Sequence, residues 1–163
     1  TLFLFLLVSV KHHPPDSKLR KQVRSEREAK IREIKSKDDV ELRAIVRWLA
    51  VPKMVSLVVG KGKMVPSIML SLMRVSASGK LFPAKNLKDA LVLRWTDSSQ
   101  NELGRMAVAD MLSSSCDKVS AVISIKRGGG VSKSTVGFEF SDRGEAVWYV
   151  KGLERVRVWE NTF

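Results

Sequence analysis

The spacing of apolar residues divides the chain near Asp38. Residues 18–37 contain four scattered aliphatic side chains at helical spacing, which predicts a helix that is solvated on most of its surface. A second helix is predicted to begin at Asp38, because the apolar residues that follow are close-set on one face. The sequence therefore predicts an arm with a helical extension in residues 1–37 and a compact domain in residues 38–163.

Beyond Pro52 the pattern predicts an α+β domain. Alternating apolar and polar positions indicate strands, whereas apolar spacings of three and four behind capping residues indicate helices. We expect a mixed or antiparallel sheet of about five strands with helices on one face, preceded by the basic helical extension. The predicted strands are 54–59, 90–95, 119–126, 136–140 and 156–158, and the predicted helices begin at Pro66, Ser99 and Asp142, the last ending at Gly152.

Residues 1–10 form an apolar run, TLFLFLLVSV, that is followed by a basic and proline-containing stretch. Ten residues are too few to cross a bilayer, which takes about 20 residues in a helix. Three interpretations stay open: the remnant of a targeting segment, a shallow membrane anchor, or an arm that docks on a partner. Because a run this apolar is not expected to stay free in water, we favour docking on a partner.

The charge of the chain indicates an anionic partner. The sequence carries 29 Lys and Arg against 17 Asp and Glu, a formal net charge of +12 over 163 residues. A surplus of this size repels itself in the folded state and is commonly matched by an anionic molecule. Nucleic acid and an anionic membrane surface are the two candidates.

Three segments concentrate the candidate binding residues. Residues 18–37 contain nine basic residues against three acidic ones, and two further basic segments are the Gly-Lys-Gly-Lys sequence at 60–63 and the glycine-rich stretch at 126–133. Glycines let the backbone approach a phosphate closely, although solvated turns would have the same composition. Neither glycine motif has Walker or dinucleotide-binding spacing. The candidate phosphate-contacting residues are Lys18, Arg20, Lys21, Arg24, Arg27, Lys61, Lys63, Lys126, Arg127 and Lys133.

The sequence offers no catalytic constellation, so we expect a protein that is not an enzyme. Its two histidines, His12 and His13, both lie in the N-terminal segment, and no Ser-His-Asp set can be assembled around them. No cofactor or metal site is expected. The single cysteine, Cys116, cannot form an internal disulfide, which favours an intracellular setting such as a mitochondrion or another organelle.

Two functional hypotheses follow from these observations. The first is an RNA-binding structural component of a ribonucleoprotein particle, such as an organellar ribosome, with RNA and neighbouring proteins as partners. The alternative is a peripheral, self-assembling, matrix-like protein that binds anionic lipid. Sequence alone does not separate them, because phosphate groups and anionic lipid attract the same cations.

Overall fold

The computed structural model describes residues 17–87, 90–128 and 134–162, but not the side chains at positions 17, 19, 20, 34–38 and 162. This part of the chain folds into eight strands, two α-helices and one 3₁₀ turn. The elements are α1 (Ser17–Ala50), β1 (Lys53–Val59), β2 (Lys63–Val75), β3 (Leu81–Pro83), β4 (Leu91–Thr96), β5 (Glu102–Ala107), the 3₁₀ turn (Val108–Asp110), β6 (Met111–Cys116), β7 (Val122–Arg127), β8 (Ser134–Glu139) and α2 (Arg143–Thr162). Two compact units divide between Asp39 and Val40, and the second unit contains all eight strands.

The strands form one antiparallel sheet in the order β5-β4-β2-β1-β8-β7-β6, with β3 paired to β2. The predicted α+β class and antiparallel pairing are confirmed. The predicted number of about five strands is too small, since the sheet has eight.

The core lies between the sheet and the two helices. The C-terminal end of α1 contributes Val46 and Leu49, and α2 contributes Tyr149, Leu153 and Val156, all fully buried. They pack with buried residues of the strands in a single apolar cluster. The strand residues of this cluster include Val55, Ile68, Leu70, Leu72, Leu93, Trp95, Ile123, Ile125 and Phe138.

The helix predicted to begin at Pro66 is wrong, because this segment belongs to β2. Ile68, Leu70 and Leu72 are buried in alternation, the period of a strand with one buried face. Pro66 lies in a β-bulge, where the register with β1 shifts and the next residue, Ser67, has a φ of 61°. A proline is tolerated in a bulge since no ladder hydrogen bond is required of it there.

The helix predicted to begin at Ser99 is also wrong. Residues 102–107 form β5, and residues 111–116 form β6 after the 3₁₀ turn. The helix face was predicted from Leu103, Met106, Ala107, Asp110 and Met111. Of these, Leu103 and Asp110 are exposed, and the buried Met106 and Met111 face the core from two different strands.

The two helices differ from prediction at their ends. A single helix, α1, runs through Asp38, where a second helix was expected. At α2 the predicted cap is confirmed, since the backbone N–H of Glu145 donates to Oδ2 of Asp142 over 3.0 Å. The predicted end at Gly152 and the strand 156–158 are wrong, because α2 continues to Thr162.

Gly152 has a packing role instead of a terminating one. It is buried in the middle of α2, and a Cβ at this position would lie 3.1 Å from Cγ2 of Ile45. The absence of a side chain therefore lets α2 approach the C-terminal end of α1 closely. This contact joins residues more than a hundred positions apart, so local spacing could not reveal it.

Candidate functional site

The turn between β1 and β2 is the first part of the candidate site. Gly60, Lys61 and Gly62 all have positive φ values, 46°, 29° and 77°, and the N–H of Lys63 donates to the carbonyl of Gly60 over 2.9 Å. Two glycines supply this left-handed backbone at little steric cost. Lys61 and Lys63 are both exposed, so the turn presents two ammonium groups at its tip.

Strand register brings a second pair of cations to the same end of the sheet. Val58 on β1 pairs with Gly137 on β8, and Thr135, two residues earlier on β8, pairs with Lys126 on β7. The end of β7 therefore lies two strands from the end of β1, a separation of roughly 10 Å. This surface lies at the ends of the strands and not on an outer strand of the sheet. We call it the basic edge and define it as the β1–β2 segment 59–65 together with Lys126 and the adjacent Arg127, both of which are exposed.

Apolar side chains lie among the cations of the basic edge. Val59, Met64 and Val65 are 47%, 43% and 42% exposed, respectively. Exposure of one apolar residue is ordinary, but three within seven residues beside cations form an amphipathic surface. The sequence did not reveal these residues, because Val59 was assigned to the end of an apolar strand and the helix predicted from Pro66 obscured the other strand of the hairpin.

The β4–β5 turn carries an acidic residue, Asp97, which accepts hydrogen bonds from the backbone N–H groups of Ser99 and Asn101, each 2.9 Å long. Because Thr96 pairs with Met69, six residues beyond Lys63 on β2, this turn lies well back from the basic edge. Hydrogen bonds from the side chain and backbone of Asn101, and the one from Ser99, hold the pKa of Asp97 below its ordinary value. Asp97 therefore stays ionised, but it lies roughly 15 Å or more from the lysines of the turn along β2.

The other predicted cations lie on α1, in the first of the two compact units. Lys18, Lys21, Arg24 and Arg27 are exposed there, and Nε of Arg24 lies 3.1 Å from Oε1 of Glu28. The remaining two predicted residues are not placed: the side chain of Arg20 and the whole of Lys133 lie outside the described residues. The structure thus brings four of the ten predicted residues together, at the basic edge.

A separate groove lies between α2 and the C-terminal end of α1. It has a volume of about 890 Å³, and both Trp48 and Trp148 line it. The ammonium group of Lys53 lies 4.5 Å from the ring centroid of Trp48, and that of Lys151 lies 5.3 Å from Trp148. Trp148 is 67% exposed, so this indole is held by a cation–π contact on an otherwise open surface.

Two classes of site have no support within the described residues. There, no helix is long and apolar enough to span a membrane. The same part of the chain contains no cluster of three or more His, Cys, Asp or Glu residues that could hold a metal ion.

Comparison with known proteins gives a likeness in structure only. No protein-family model matches this sequence, and no curated protein is a detectable relative. The PH domain from TgAPH of Toxoplasma is 13% identical with a TM-score of 0.48, over 80% of this chain and 98% of that domain. The PH domain from PfAPH of Plasmodium is 18% identical with a TM-score of 0.45, over 74% and 88%.

A third similar structure is the inner membrane complex sub-compartment protein 3 from Toxoplasma gondii, 10% identical with a TM-score of 0.49, over 74% of this chain and 85% of that one. The prediction of an RNA-binding ribosomal component is wrong, because the chain is similar to PH domains and to an inner membrane complex protein. An RNA partner has no support. The fold of this chain is thus similar to that of a PH domain, an antiparallel sheet with a C-terminal helix.

Proposed function

We propose that this protein is a non-enzymatic binding module that associates peripherally with an anionic membrane surface. The observation that carries the proposal is the basic edge, where Lys61, Lys63, Lys126 and Arg127 lie at one end of the sheet together with exposed apolar side chains. Cations attract anionic headgroups, and apolar side chains gain free energy by entering the boundary between headgroups and acyl chains. A surface that combines cations with exposed apolar side chains is therefore more stable against an anionic membrane than in water.

The exposed cations of α1 support the same proposal. Lys18, Lys21, Arg24 and Arg27 face solvent, and each Lys or Arg close to an anionic leaflet contributes about 1 kcal/mol to binding. Cytoplasmic leaflets carry anionic lipids, so we propose an intracellular membrane as the location. Residues 1–10 remain a predicted docking arm, and they would add apolar contact if the partner is the bilayer itself.

Co-sedimentation with vesicles tests the proposal. The full chain should bind phosphatidylcholine vesicles that contain phosphatidylserine, and it should not bind pure phosphatidylcholine. Binding should weaken as salt rises, because salt screens exposed charges. The double variant Lys61→Glu/Lys63→Glu should lower affinity for the anionic vesicles at least about thirtyfold, because about 1 kcal/mol is lost per cation and each new carboxylate adds repulsion.

A matched control is available at the other end of the sheet. Lys80, in the turn after β2, and Lys118, in the turn before β7, are exposed, and they lie where β2 ends and β7 begins. Lys80→Glu/Lys118→Glu changes the net charge by the same amount, and affinity should fall less than about threefold, from general electrostatics alone. Equal losses in the two variants, or no binding of the unaltered chain to anionic vesicles, would contradict the proposal.

A further inference from the structure

The arrangement of charge at the basic edge indicates what kind of anionic ligand it takes. We infer that the basic edge recognises the anionic bilayer surface as a whole, through summed charge and apolar insertion, and not the headgroup of a single polyphosphorylated lipid. This inference rests on the proposed function, since it names the ligand class of the same surface.

The cation on β2 faces the inner side of the sheet. Residues directly opposite each other in an antiparallel pair project to the same face, and residues two apart on a strand do so as well. Lys63 pairs with Val59, which shares a face with Leu57. Leu57 packs against the apolar core, so this face is the inner one.

The cation on β7 faces the outer side. Lys126 pairs with Thr135, which lies two residues from Gly137 on β8, and Gly137 pairs with Val58. Val58 is the neighbour of Leu57 in β1 and therefore projects to the opposite face. Lys63 and Lys126 consequently extend from opposite faces of the sheet, and three strand spacings, about 14 Å, separate their backbones.

The cations of the basic edge are poorly placed to converge on one compact phosphate cluster, because they are spread over both faces of the sheet and over several strands. A selective headgroup site needs several donors within hydrogen-bond distance of the same ligand. Arg127 lies two residues from the buried Ile125 and therefore projects to the inner face, as Lys63 does, but three strand spacings, about 14 Å, separate their backbones. The carbonyl of the exposed Asp110 accepts a hydrogen bond from Gly128, next to Arg127, so an acidic residue lies close to this cation. A flat anionic surface can contact cations on both faces of the edge at once.

Apolar contact adds binding that does not depend on the headgroup. Val59 and Val65 lie on the inner face and Met64 on the outer face of the hairpin, each more than two-fifths exposed. Their side chains flank the lysines of the turn on both sides. Insertion of this tip between headgroups would bury apolar surface whichever anionic lipid surrounds it.

Vesicles matched in surface charge separate the two ligand classes. One set contains phosphatidylserine, and the other contains a polyphosphorylated phosphoinositide at the lower content that gives the same zeta potential. The full chain should bind both sets with dissociation constants within about threefold, because the summed charge is equal. Soluble inositol polyphosphate at the concentration of the bound lipid should not displace it.

A methionine pair tests the insertion. Met64→Ser should weaken binding to both vesicle sets about fivefold through lost apolar burial, and Met54→Ser should weaken it less than about twofold. Met54 is a suitable control, because it is 68% exposed on the same outer face but lies at the far end of β1. Thermal unfolding of each variant verifies that the fold is retained.

The outcomes distinguish this inference from the proposed function. Binding more than about tenfold tighter to the phosphoinositide vesicles at equal charge, or displacement by the soluble headgroup, would overturn the inference and leave membrane association intact. Equal effects of Met64→Ser and Met54→Ser would overturn the insertion. Failure to bind either anionic vesicle set would overturn the proposed function as well.

Discussion

The indole of Trp95 covers Gly104, its direct partner across the β4–β5 pair. A Cβ at position 104 would lie 2.5 Å from Cε2 and 2.8 Å from Nε1 of this ring. On its other side Trp95 meets Phe138 of β8 edge to face, with ring centroids 5.3 Å apart. The absence of a side chain at Gly104 thus leaves room for the Trp95 ring, which packs on Phe138 in the core.

Gly104→Ala should therefore destabilise the domain. The added methyl group must displace the Trp95 ring, and overpacking of this kind costs about 1 to 3 kcal/mol. Urea unfolding followed by tryptophan fluorescence would measure the loss. Leu103→Ala, at the 47% exposed neighbouring position, is the control and should cost less than about 1 kcal/mol. An unchanged unfolding midpoint in Gly104→Ala would show that the ring can move aside freely.

The sequence predicted correctly those elements in which the apolar residues follow only one spacing, either that of a strand or that of a helix. The β7–β8 hairpin was predicted because its apolar residues alternate with polar ones, and α2 because Asp142 caps it. In β2, Met69 lies between Ile68 and Leu70, and Met73 follows Leu72. These two apolar side chains hid the alternation of the buried residues. Pro66 then favoured a helix, since proline suits a first helical turn as well as a bulge.

The candidate site was predictable only as a set of residue types. Composition and glycine content selected Lys61, Lys63, Lys126 and Arg127, but the pairing of β1 with β8, which gathers them at one edge, joins segments far apart in sequence. The chemistry of the ligand was ambiguous for a physical reason. Phosphate groups of a nucleic acid and of lipids attract the same cations, and the exposed valines and methionine that favour lipid are visible only in the folded hairpin.

The hydroxyl of Tyr149 provides a second stability prediction. Tyr149 is fully buried between Trp48 and Phe140, with ring centroids 5.8 and 5.1 Å away, and its hydroxyl has no hydrogen-bond partner among the described residues. Burial raises the pKa of Tyr149 far above its ordinary value. Tyr149→Phe removes an unsatisfied polar atom and keeps the ring, so the free energy of unfolding should rise by about 1 kcal/mol.

Chemical denaturation would measure this change, with Tyr149→Ala as the comparison. Loss of the whole ring should cost about 3 to 5 kcal/mol through the cavity it leaves. A clear loss of stability in Tyr149→Phe would instead show that the hydroxyl is hydrogen-bonded in solution.

Glu154 ties α2 to the edge strand β6. Its Oε1 accepts hydrogen bonds from the backbone N–H and the hydroxyl of Ser114, 2.6 and 2.9 Å long, and its Oε2 lies 2.7 Å from Nη2 of Arg157. Partial burial acts to raise the pKa of Glu154, but the hydrogen bonds from Arg157 and Ser114 outweigh it and leave the pKa below its ordinary value. The carboxylate also occupies a backbone donor that an edge strand would otherwise offer to another strand.

This contact should make stability depend on pH in a defined direction. Because the pKa of Glu154 is lower in the folded state than in the unfolded state, the ionised carboxylate stabilises the fold. This stabilisation is complete above the unfolded-state pKa of about 4.3, and it is lost as the pH falls through the folded-state pKa. Glu154→Gln should thus lower the free energy of unfolding by about 1 to 3 kcal/mol at pH 7. Below about pH 4 the difference in this free energy between the variant and the unaltered protein should become smaller. Thermal unfolding between pH 3 and pH 7 would measure it. Glu41→Gln, which removes only an exposed pair with Arg155, should cost little at any pH.

The N-terminal part of α1 should be dispensable for folding and needed for membrane affinity. Among its described side chains those at 21–33 are exposed, and the first buried one is Leu42, which precedes the core residues Val46 and Leu49. Because the described side chains of this segment are exposed, we expect removal of residues 1–37 to change the melting temperature by less than about 4 °C, the shift that 1 kcal/mol produces in a domain of this size. Affinity for anionic vesicles should fall at least tenfold, given the cations removed.

Leu49→Ala in the full chain is the opposite case, because it removes a core side chain and no cation: the free energy of unfolding should fall by about 2 to 5 kcal/mol. If the truncated chain unfolds or aggregates, the extension belongs to the folded core and the predicted boundary at residue 38 is wrong.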